Sequence, residues 1–233
     1  MTISTYQGKV KKIVDLSPTA REITFSLDKP IDFKSGSFVN MFTTVDGSKM
    51  RRAYSLSSSP HSKEEISLSV RRAKQGIVSP IFWDSNIHEQ EFSFMGPLGV
   101  NTSDKMVHEN IFLFAYGIGI SVIKSILFDV LERDNVKNVT LVTGNRDESE
   151  LLYREYLDSL ASDHPKLTVR YVLSESTDNT YPYQGYIQNN IADLDFTASD
   201  AYICGPTKAC ESLIETIEKK HPADCAIHVE KFG

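Results

Sequence analysis

The segment Arg52-Ala53-Tyr54-Ser55 combines residue types that can hold an anion and a planar ring. An arginine offers a forked set of donors that suits a phosphate, and a tyrosine offers a flat aromatic face. Arg52 and Tyr54 are two residues apart in a β-rich run, so their side chains project to the same side of a strand. The segment predicts a site for a ligand with a phosphate and a ring. A surface arginine beside a core tyrosine is the alternative.

A second segment, residues 71–79, has the pattern of a basic strand end, a glycine turn and the start of a helix. Gly76 permits close approach of a ligand to the backbone, and the first N–H groups of a helix favour an anion. The segment therefore indicates a phosphate site in the same β-rich region. A solvated basic turn is the simpler interpretation of this segment taken alone.

Two further segments place glycine turns directly after apolar strands. Residues 117–121 follow the continuous apolar run 111–116, and Cys204-Gly205-Pro206 follows a strand predicted at 201–204. Ligands of parallel sheets collect at the carboxyl ends of strands, where both turns fall. Cys204 is expected beside the Gly117 turn if the two strands are neighbours. A tight turn and a buried free cysteine are the alternatives.

Hydrophobic periodicity divides the chain near residue 100. The first part has six short β-rich stretches separated by turn residues, which predict a small antiparallel β-barrel. One short helix is expected within it, capped by Ser79 and with Pro80 as its first residue. The predicted strands cover residues 10–16, 21–27, 37–44, 52–57, 66–72 and 91–94, and the helix covers 79–84.

From about residue 110 the strands and helices alternate, which predicts a doubly wound parallel α/β sheet. The expected strands cover 111–116, 139–143, 167–173, 201–204 and 226–230, and the expected helices cover 121–133, 149–161 and 207–219. The chain is thus expected to have a two-domain β + α/β fold. We place the β-barrel domain at 1–100, a linker at 101–109 and the α/β domain at 110–233.

Composition argues against several function classes. The 233 residues include 25 Lys+Arg and 31 Asp+Glu, so the formal net charge is −6. An acidic excess argues against a nucleic-acid partner, and no apolar run reaches the ~18 residues of a membrane span. Three cysteines without a C-x-x-C pair argue against a disulfide framework or a zinc ribbon, and we expect no metal site. Without an apolar leader the expected location is cytoplasmic.

The order of these motifs resembles that of the ferredoxin–NADP reductase superfamily of FAD-dependent flavoproteins. Residues 52–55 match its R-x-Y-S motif, 76–79 its G-x-x-S loop and 96–99 its G-P-x-G element. Later matches are the pyridine-nucleotide turn at 117–121, G-x-R at 144–146, C-G-P at 204–206 and E-x-F at 230–232. The resemblance covers about residues 6–233. It implies an FAD-binding Greek-key β-barrel followed by an NAD(P)-binding α/β domain.

The resemblance implies roles for residues of the barrel. Arg52 would hold the phosphates of FAD, Tyr54 would pack on the isoalloxazine, and Ser55 would hydrogen-bond near its reactive nitrogen. A further set would line the same cofactor, with the 76–79 loop donating backbone N–H groups to its pyrophosphate. This set is Ala53, Leu68, Ser69, Val70, Gly76, Ile77, Val78 and Ser79.

It also implies roles for the α/β domain. Cys204 would help to place the nicotinamide, Glu230 would lie near the flavin edge, and Phe232 would cover the flavin and yield to nicotinamide. Ser55, Cys204 and Glu230 are therefore the candidate catalytic residues. The nicotinamide nucleotide would contact Gly117, Ile118, Gly119, Ser121, Asn145, Arg146, Gly205 and Pro206.

Two departures from the family pattern touch the predicted nucleotide site. Ser121-Val122 stands where Thr-Pro is common, so the hydroxyl is kept and the proline is lost. Tyr116 replaces a small residue before the turn, and its ring is expected to narrow the nucleotide cleft. A third departure is Ser37, which follows Gly36 where the family has Gln.

The implied activity is that of an NAD(P)H-dependent flavin oxidoreductase, in which NADH or NADPH reduces bound FAD. Electrons would then pass to a separate acceptor: a ferredoxin, an oxygenase component, another redox protein or a small molecule. Asp147 and Glu148 follow Arg146 and favour NADH, because they repel a 2′-phosphate. No appended iron–sulfur, haem or FMN domain is expected within this length. Two alternatives stay open: an electron-relay subunit with weak or no NAD(P)H activity, and a reductase of free flavin.

Overall fold

The first sheet is a six-stranded antiparallel barrel. The structure, a computed structural model, describes residues 2–176, 180–220 and 224–232. The barrel strands are β1 (Ser4–Ser17), β2 (Ala20–Leu27), β3 (Phe38–Val45), β4 (Ser48–Ser55), β5 (Glu65–Arg71) and β6 (Phe92–Leu98). They lie in the order β4-β3-β6-β1-β2-β5. β3 buries alternate residues, Val39, Met41 and Thr43, as the period-2 pattern requires.

The barrel closes where β4 ends beside β5. Leu56 forms an isolated antiparallel bridge with Leu68, and the Ser57 N–H donates to the Ser67 carbonyl at 2.8 Å. The interior is filled by aliphatic and aromatic side chains, among them Phe25 and Phe94, whose rings meet edge to face at 4.9 Å. Closure therefore brings the 52–55 segment and the 71–79 segment to one end of the same barrel.

The second sheet is parallel and six-stranded, with the order β10-β9-β8-β7-β11-β12. Its strands are β7 (Asn110–Tyr116), β8 (Asn138–Asn145), β9 (Leu167–Leu173), β10 (Tyr183–Gln184), β11 (Ser199–Pro206) and β12 (Cys225–Phe232). Three helices pack on it: α1 (Ile120–Val130), α2 (Arg154–Asp163) and α3 (Thr207–Lys220). Because β7 pairs with both β8 and β11, the chain reverses direction across the sheet at β7, where α/β folds bind ligands.

Alternate residues of β7 supply both faces of the parallel sheet. Leu113 and Ala115 pack against α1 and α2, whereas Phe112 and Phe114 pack on the face that carries α3. The strand is buried on both sides, which explains its continuous apolar run. The predicted doubly wound arrangement is confirmed.

Several predicted boundaries were wrong. The helix predicted at 149–161 begins at Arg154, because Glu148–Glu150 form a separate 3-10 turn and Tyr153 has a left-handed φ of 61°. Ser79 is not a cap; it lies inside the 3-10 helix Ser79–Trp83, whose N-cap is Val78. β4 spans Ser48–Ser55 instead of 52–57, and β1, β6, β8, β11 and β12 are longer than expected. The short strand β10 was not predicted.

The connection between the sheets runs from Leu98 to Asn110 and contains one short 3-10 turn, Ser103–Lys105. The division into 1–100, 101–109 and 110–233 stays a prediction. Within the parts of the chain that the structure describes, no helix combines the length and apolar character needed to cross a membrane.

Candidate active site

A cleft of about 690 Å³ lies where the barrel meets the carboxyl edge of the parallel sheet. Both domains line it. Ten residues of the predicted site face this cleft: Ala53, Tyr54, Ser55, Ser69, Ile118, Gly119, Ser121, Cys204, Glu230 and Phe232. The structure therefore brings all three candidate catalytic residues together from positions far apart in the chain.

Glu230 is the central polar group of the cleft. Its carboxylate accepts a very short hydrogen bond from the Ser55 hydroxyl and a second, at 3.1 Å, from the Tyr202 hydroxyl. Burial raises the pKa of Glu230, and the hydrogen bonds from Ser55 and Tyr202 offset only part of that effect. The protonated form of Glu230 is therefore more favoured than that of a glutamate on the protein surface.

Tyr54 presents its ring to the cleft from β4. The ring meets Phe82 edge to face at 6.1 Å, which fixes its orientation. Burial raises the pKa of Tyr54 to about 12, despite the nearby positive charge of Arg52. The phenol is therefore neutral at physiological pH and offers a flat face with one hydroxyl.

The turn at Gly117–Gly119 fits tightly against the end of β11. A Cβ on Gly119 would lie 2.4 Å from the carbonyl oxygen of Cys204, so only glycine allows this approach. Gly117 has a φ of +52°, which also favours glycine. Cys204 is 2% exposed, and burial raises the pKa of its thiol well above the ordinary value. The predicted proximity of Cys204 to the Gly117 turn is thus found.

The two domains touch across the cleft through Ser121. Its hydroxyl donates to the Ser55 carbonyl at 3.3 Å, which joins the first turn of α1 to the end of β4. Asn101 makes a similar connection, because its side-chain amide donates to the Val229 carbonyl at 2.6 Å. These contacts hold the barrel motif and the sheet motif on opposite sides of one cavity.

Other predicted residues lie outside the cleft lining. Arg52 is exposed and donates to the neighbouring Arg51 carbonyl at 2.7 Å. Leu68 and Val70 are buried in the barrel core. The remainder also lie outside: Gly76, Ile77, Val78, Ser79, Gly117, Asn145, Arg146, Gly205 and Pro206.

Internal hydrogen bonds shape the 73–79 loop next to the barrel. The Ser79 hydroxyl accepts from the Ala73 N–H at 3.0 Å, and the Gly76 N–H donates to the Ala73 carbonyl at the same distance. A Cβ on Gly76 would lie 2.7 Å from the Ser79 hydroxyl oxygen. The loop therefore holds one defined shape, which a phosphate-binding turn requires.

The cleft suits a flavin by the chemistry of its lining. Most of its surface is apolar, from Phe38, Leu98, Val100, Val122 and similar residues, and a few polar groups converge on it. A pocket of a few hundred Å³ with this character is typical of cofactor sites. A planar ring system with polar edges fits it. Among the described residues no group of three His, Cys, Asp or Glu side chains could hold a metal ion.

Comparison with known families agrees with this geometry. The model described as "Oxidoreductase FAD-binding domain" matches residues 7–102, and "Oxidoreductase NAD-binding domain" matches residues 113–227. A ferredoxin–NADP reductase B of Sorangium cellulosum is 24% identical, over 97% of this chain and 97% of its own length. The chain belongs to the ferredoxin–NADP reductase superfamily.

Two further proteins extend the comparison. The reductase component DmpP of phenol 2-monooxygenase from Pseudomonas sp. (strain CF600) is 30% identical over 99% of this chain. The chain spans 66% of that relative's length, about two thirds. The crystal structure of the Amycolatopsis cytochrome P450 reductase GcoB shares the fold, with a TM-score of 0.87 at 23% identity over 99% of this chain and 70% of its own.

Within this superfamily fold, Tyr116 is not among the residues that line the cleft. Its ring packs on the other face of the sheet, where Cβ positions on Gly205 and Gly144 would lie 2.7 Å and 3.5 Å from it. The reason is strand alternation: Ala115 faces α1, so Tyr116 faces away. The effect of Tyr116 on nucleotide binding stays a prediction, whereas Val122, the other departure, lines the cavity.

Nine residues of the cleft lining are not among the predicted site residues. These are Gly36, Phe38, Arg71, Leu98, Gly99, Val100, Asn101, Val122 and Lys231. Three of them lie within motifs recognised in the sequence. Arg71 belongs to the basic strand end, and Leu98 and Gly99 belong to the G-P-x-G element. Asn101 had been assigned only to the linker. Only the packing of the two domains shows that these positions share one cavity.

Proposed function

We propose that this chain is an NAD(P)H-dependent flavin oxidoreductase that binds FAD and passes electrons to a separate acceptor. One observation carries the proposal. Tyr54 and Ser55 from the barrel and Gly119, Cys204 and Glu230 from the α/β domain line a single cleft. Bound FAD would supply the redox chemistry, by taking a hydride from reduced nicotinamide, while the protein supplies binding and positioning.

Six residues of the cleft have defined tasks under this proposal. Tyr54 packs against the ring of the cofactor with its neutral phenol. Ser55 lines the cleft, and its hydroxyl donates to the Glu230 carboxyl group behind it. Cys204 and Gly119 shape the space for nicotinamide, and Phe232 covers the cleft at 37% exposure. Closing the site with apolar side chains excludes water.

The acceptor is proposed to be an oxygenase component or a small redox protein. This rests on the relatives, because the Pseudomonas protein is named as the reductase component of phenol 2-monooxygenase. A glycine betaine monooxygenase reductase subunit of Pseudomonas aeruginosa is 27% identical over 95% of this chain.

NADH is the proposed donor. Arg146 lies 3.5 Å from the Glu175 carboxylate (Nε to Oε1), and Asp147 and Glu148 follow it. Three carboxylates beside one arginine leave little net positive charge for a 2′-phosphate. We expect the reduction rate with NADH to exceed that with NADPH at equal concentration.

The test uses purified protein incubated with FAD and passed through gel filtration to remove free flavin. Its visible spectrum is recorded anaerobically before and after NADH, and in a parallel sample before and after NADPH. We expect flavin bands that co-elute with the protein and bleach faster with NADH. FMN in place of FAD is the matched control for the contribution of the adenine half.

Three outcomes would contradict the proposal. Bands that persist with both nucleotides would favour the relay subunit, for which Val122 in the cleft lining is the relevant departure. Protein that elutes colourless but oxidises NADH when free flavin is added would favour the free-flavin reductase. Protein that neither retains FAD nor oxidises NADH would overturn the enzyme assignment.

A further inference from the structure

A single carboxylate, that of Glu150, joins the α/β domain to three donors of the barrel. It accepts from the Thr19 hydroxyl at 2.9 Å, from the Ser17 hydroxyl at 3.1 Å and from Arg71 Nη1 at 2.5 Å. The Glu150 side chain is only 15% exposed. This is a convergent, largely desolvated cluster, in which charge-assisted hydrogen bonds are stronger than on a surface.

Arg71 extends from this cluster into the cleft. It is the last residue of β5 and one of the cleft-lining residues. Its Nη1 is committed twice, to Glu150 and, at 2.8 Å, to Thr19 Oγ1. Its Nη2 lies on the other side, 3.8 Å from the position of a Cβ on Gly117. The guanidinium thus has one nitrogen fixed at the domain interface and another facing the turn that opens α1.

We infer that Glu150 is a positioning residue that aims Arg71 Nη2 at a phosphate of the nicotinamide nucleotide. The inference rests on the proposed function and adds to it a residue that no motif marks. A free arginine must give up side-chain freedom when it binds an anion. Glu150 and Thr19 remove that freedom in advance, and the positive end of α1 at the Gly117 turn favours the same anion.

The cluster also makes this orientation depend on domain packing. Arg71 and Thr19 belong to the barrel, whereas Glu150 lies in the turn between β8 and α2. Separation of the domains removes Glu150 from Nη1 and leaves the contact with Thr19, so the direction of Nη2 is less firmly fixed. Glu150 therefore acts on nucleotide affinity without touching the nucleotide itself.

The decisive comparison uses two hydride donors with and without a phosphate. The full chain loaded with FAD is reduced anaerobically in a stopped-flow instrument. NADH is the donor in one set of reactions, and N-benzyl-1,4-dihydronicotinamide is the donor in a separate set. In Glu150→Ala we expect the NADH concentration for half-maximal rate to rise about tenfold, while the limiting rate changes less than about twofold. The rate constant with the phosphate-free donor should stay unchanged.

Two variants separate positioning from loosening of the interface. Glu150→Gln keeps an acceptor oxygen for Nη1 and should recover most of the NADH affinity. Glu22→Ala breaks another ion pair between the domains, that with Lys124 Nζ at 2.6 Å, whose two side chains are not among the cleft-lining residues. It should lower stability and leave the NADH half-saturation concentration unchanged.

The inference is overturned if Glu150→Ala keeps the wild-type half-saturation concentration, or if Glu22→Ala raises it as much as Glu150→Ala does. It is also overturned if Glu150→Ala slows reduction by both donors equally, because that loss would not depend on phosphate. If the wild-type protein is reduced by neither donor, the proposed function itself fails, which is a different result from any of these.

Discussion

Glu230 shows how a single residue combines stability and function. Its carboxyl group lies between Ser55 on the barrel and Tyr202 on the neighbouring strand. Both partners donate hydroxyl protons, yet burial still dominates and raises the pKa of Glu230. The folded protein therefore holds this proton more tightly than the unfolded chain does.

This has a testable consequence for pH dependence. A folded-state pKa above the unfolded value means that stability is present below the unfolded pKa and is lost as pH rises through the folded one. Relative to Glu230→Gln, the wild-type protein should lose unfolding free energy as pH rises above about 4.3, and level off once Glu230 ionises. Urea titrations of both proteins across this range measure the difference.

The same substitution at the exposed Glu64 controls for loss of a negative charge alone. A wild-type to Glu230→Gln difference that stays flat, or that moves in the opposite direction, would contradict the shift. The control matters because the chain is already acidic, and any neutralised carboxylate reduces general repulsion.

At the scale of elements, the Gly117–Gly119 turn depends on the close contact that Gly119 makes with β11. In Gly119→Ala the new methyl would meet the Cys204 carbonyl oxygen, a backbone atom, at 2.4 Å. We expect a loss of about 2 kcal/mol in unfolding free energy and weaker binding of NADH, because α1 must move away from β11. Denaturant melts and NADH titrations of FAD-loaded protein measure the two effects.

Gly47→Ala is the matched control for that change. Gly47 has a φ of +75° in the turn between β3 and β4, and nothing lies within 4 Å of its Cβ position. Alanine there should cost about 1 kcal/mol through backbone strain alone and leave NADH binding intact. Equal effects of the two substitutions would show that the close approach to Cys204 is unimportant.

Elements were predictable from the sequence wherever a local pattern determines them. The strand at Leu167–Leu173 and the start of α3 at Thr207 agree with expectation, because apolar spacing and the C-G-P turn define them. The start of α2 was not predictable. Glu150 turns toward Thr19 and Arg71, and the Tyr153 hydroxyl meets Ser69 at 2.6 Å. Such contacts link residues far apart in the chain, and no local period contains them.

In the candidate site, too, local motifs were predictable from the sequence and contacts between distant residues were not. The glycine turns and the 52–55 motif could be read from residue types, since each has a local chemical reason. The pairing of Ser55 with Glu230 spans 175 positions, and the role of Arg71 appears only when Glu150 is beside it. The direction of Tyr116 was predictable from strand alternation, once its strand was known to be buried on both faces.

At the scale of the whole molecule, Asp200 binds the segment that connects the two domains to the parallel sheet. Its fully buried carboxylate accepts from the Val107 and His108 N–H groups, each at 2.8 Å, and from His108 Nδ1 at 2.9 Å. His228 Nε2 on β12 completes the set at 2.7 Å. Burial disfavours the charge, but these hydrogen bonds prevail and lower the pKa of Asp200.

Removing this charge should loosen the link between the barrel and the sheet. Asp200→Asn places an amide nitrogen among donors, so we expect a loss of about 3 kcal/mol in unfolding free energy near neutral pH. Because the folded-state pKa is lowered, this contribution is present above the ordinary aspartate pKa of about 3.9 and is lost as pH falls through the folded value. The difference in unfolding free energy between the wild-type and Asp200→Asn proteins should therefore become smaller in acid.

Asp193→Asn, which removes a largely exposed partner of Arg170, should cost less than about 1 kcal/mol in unfolding free energy. A similar cost for both variants would mean that Asp200 does not hold the domains together.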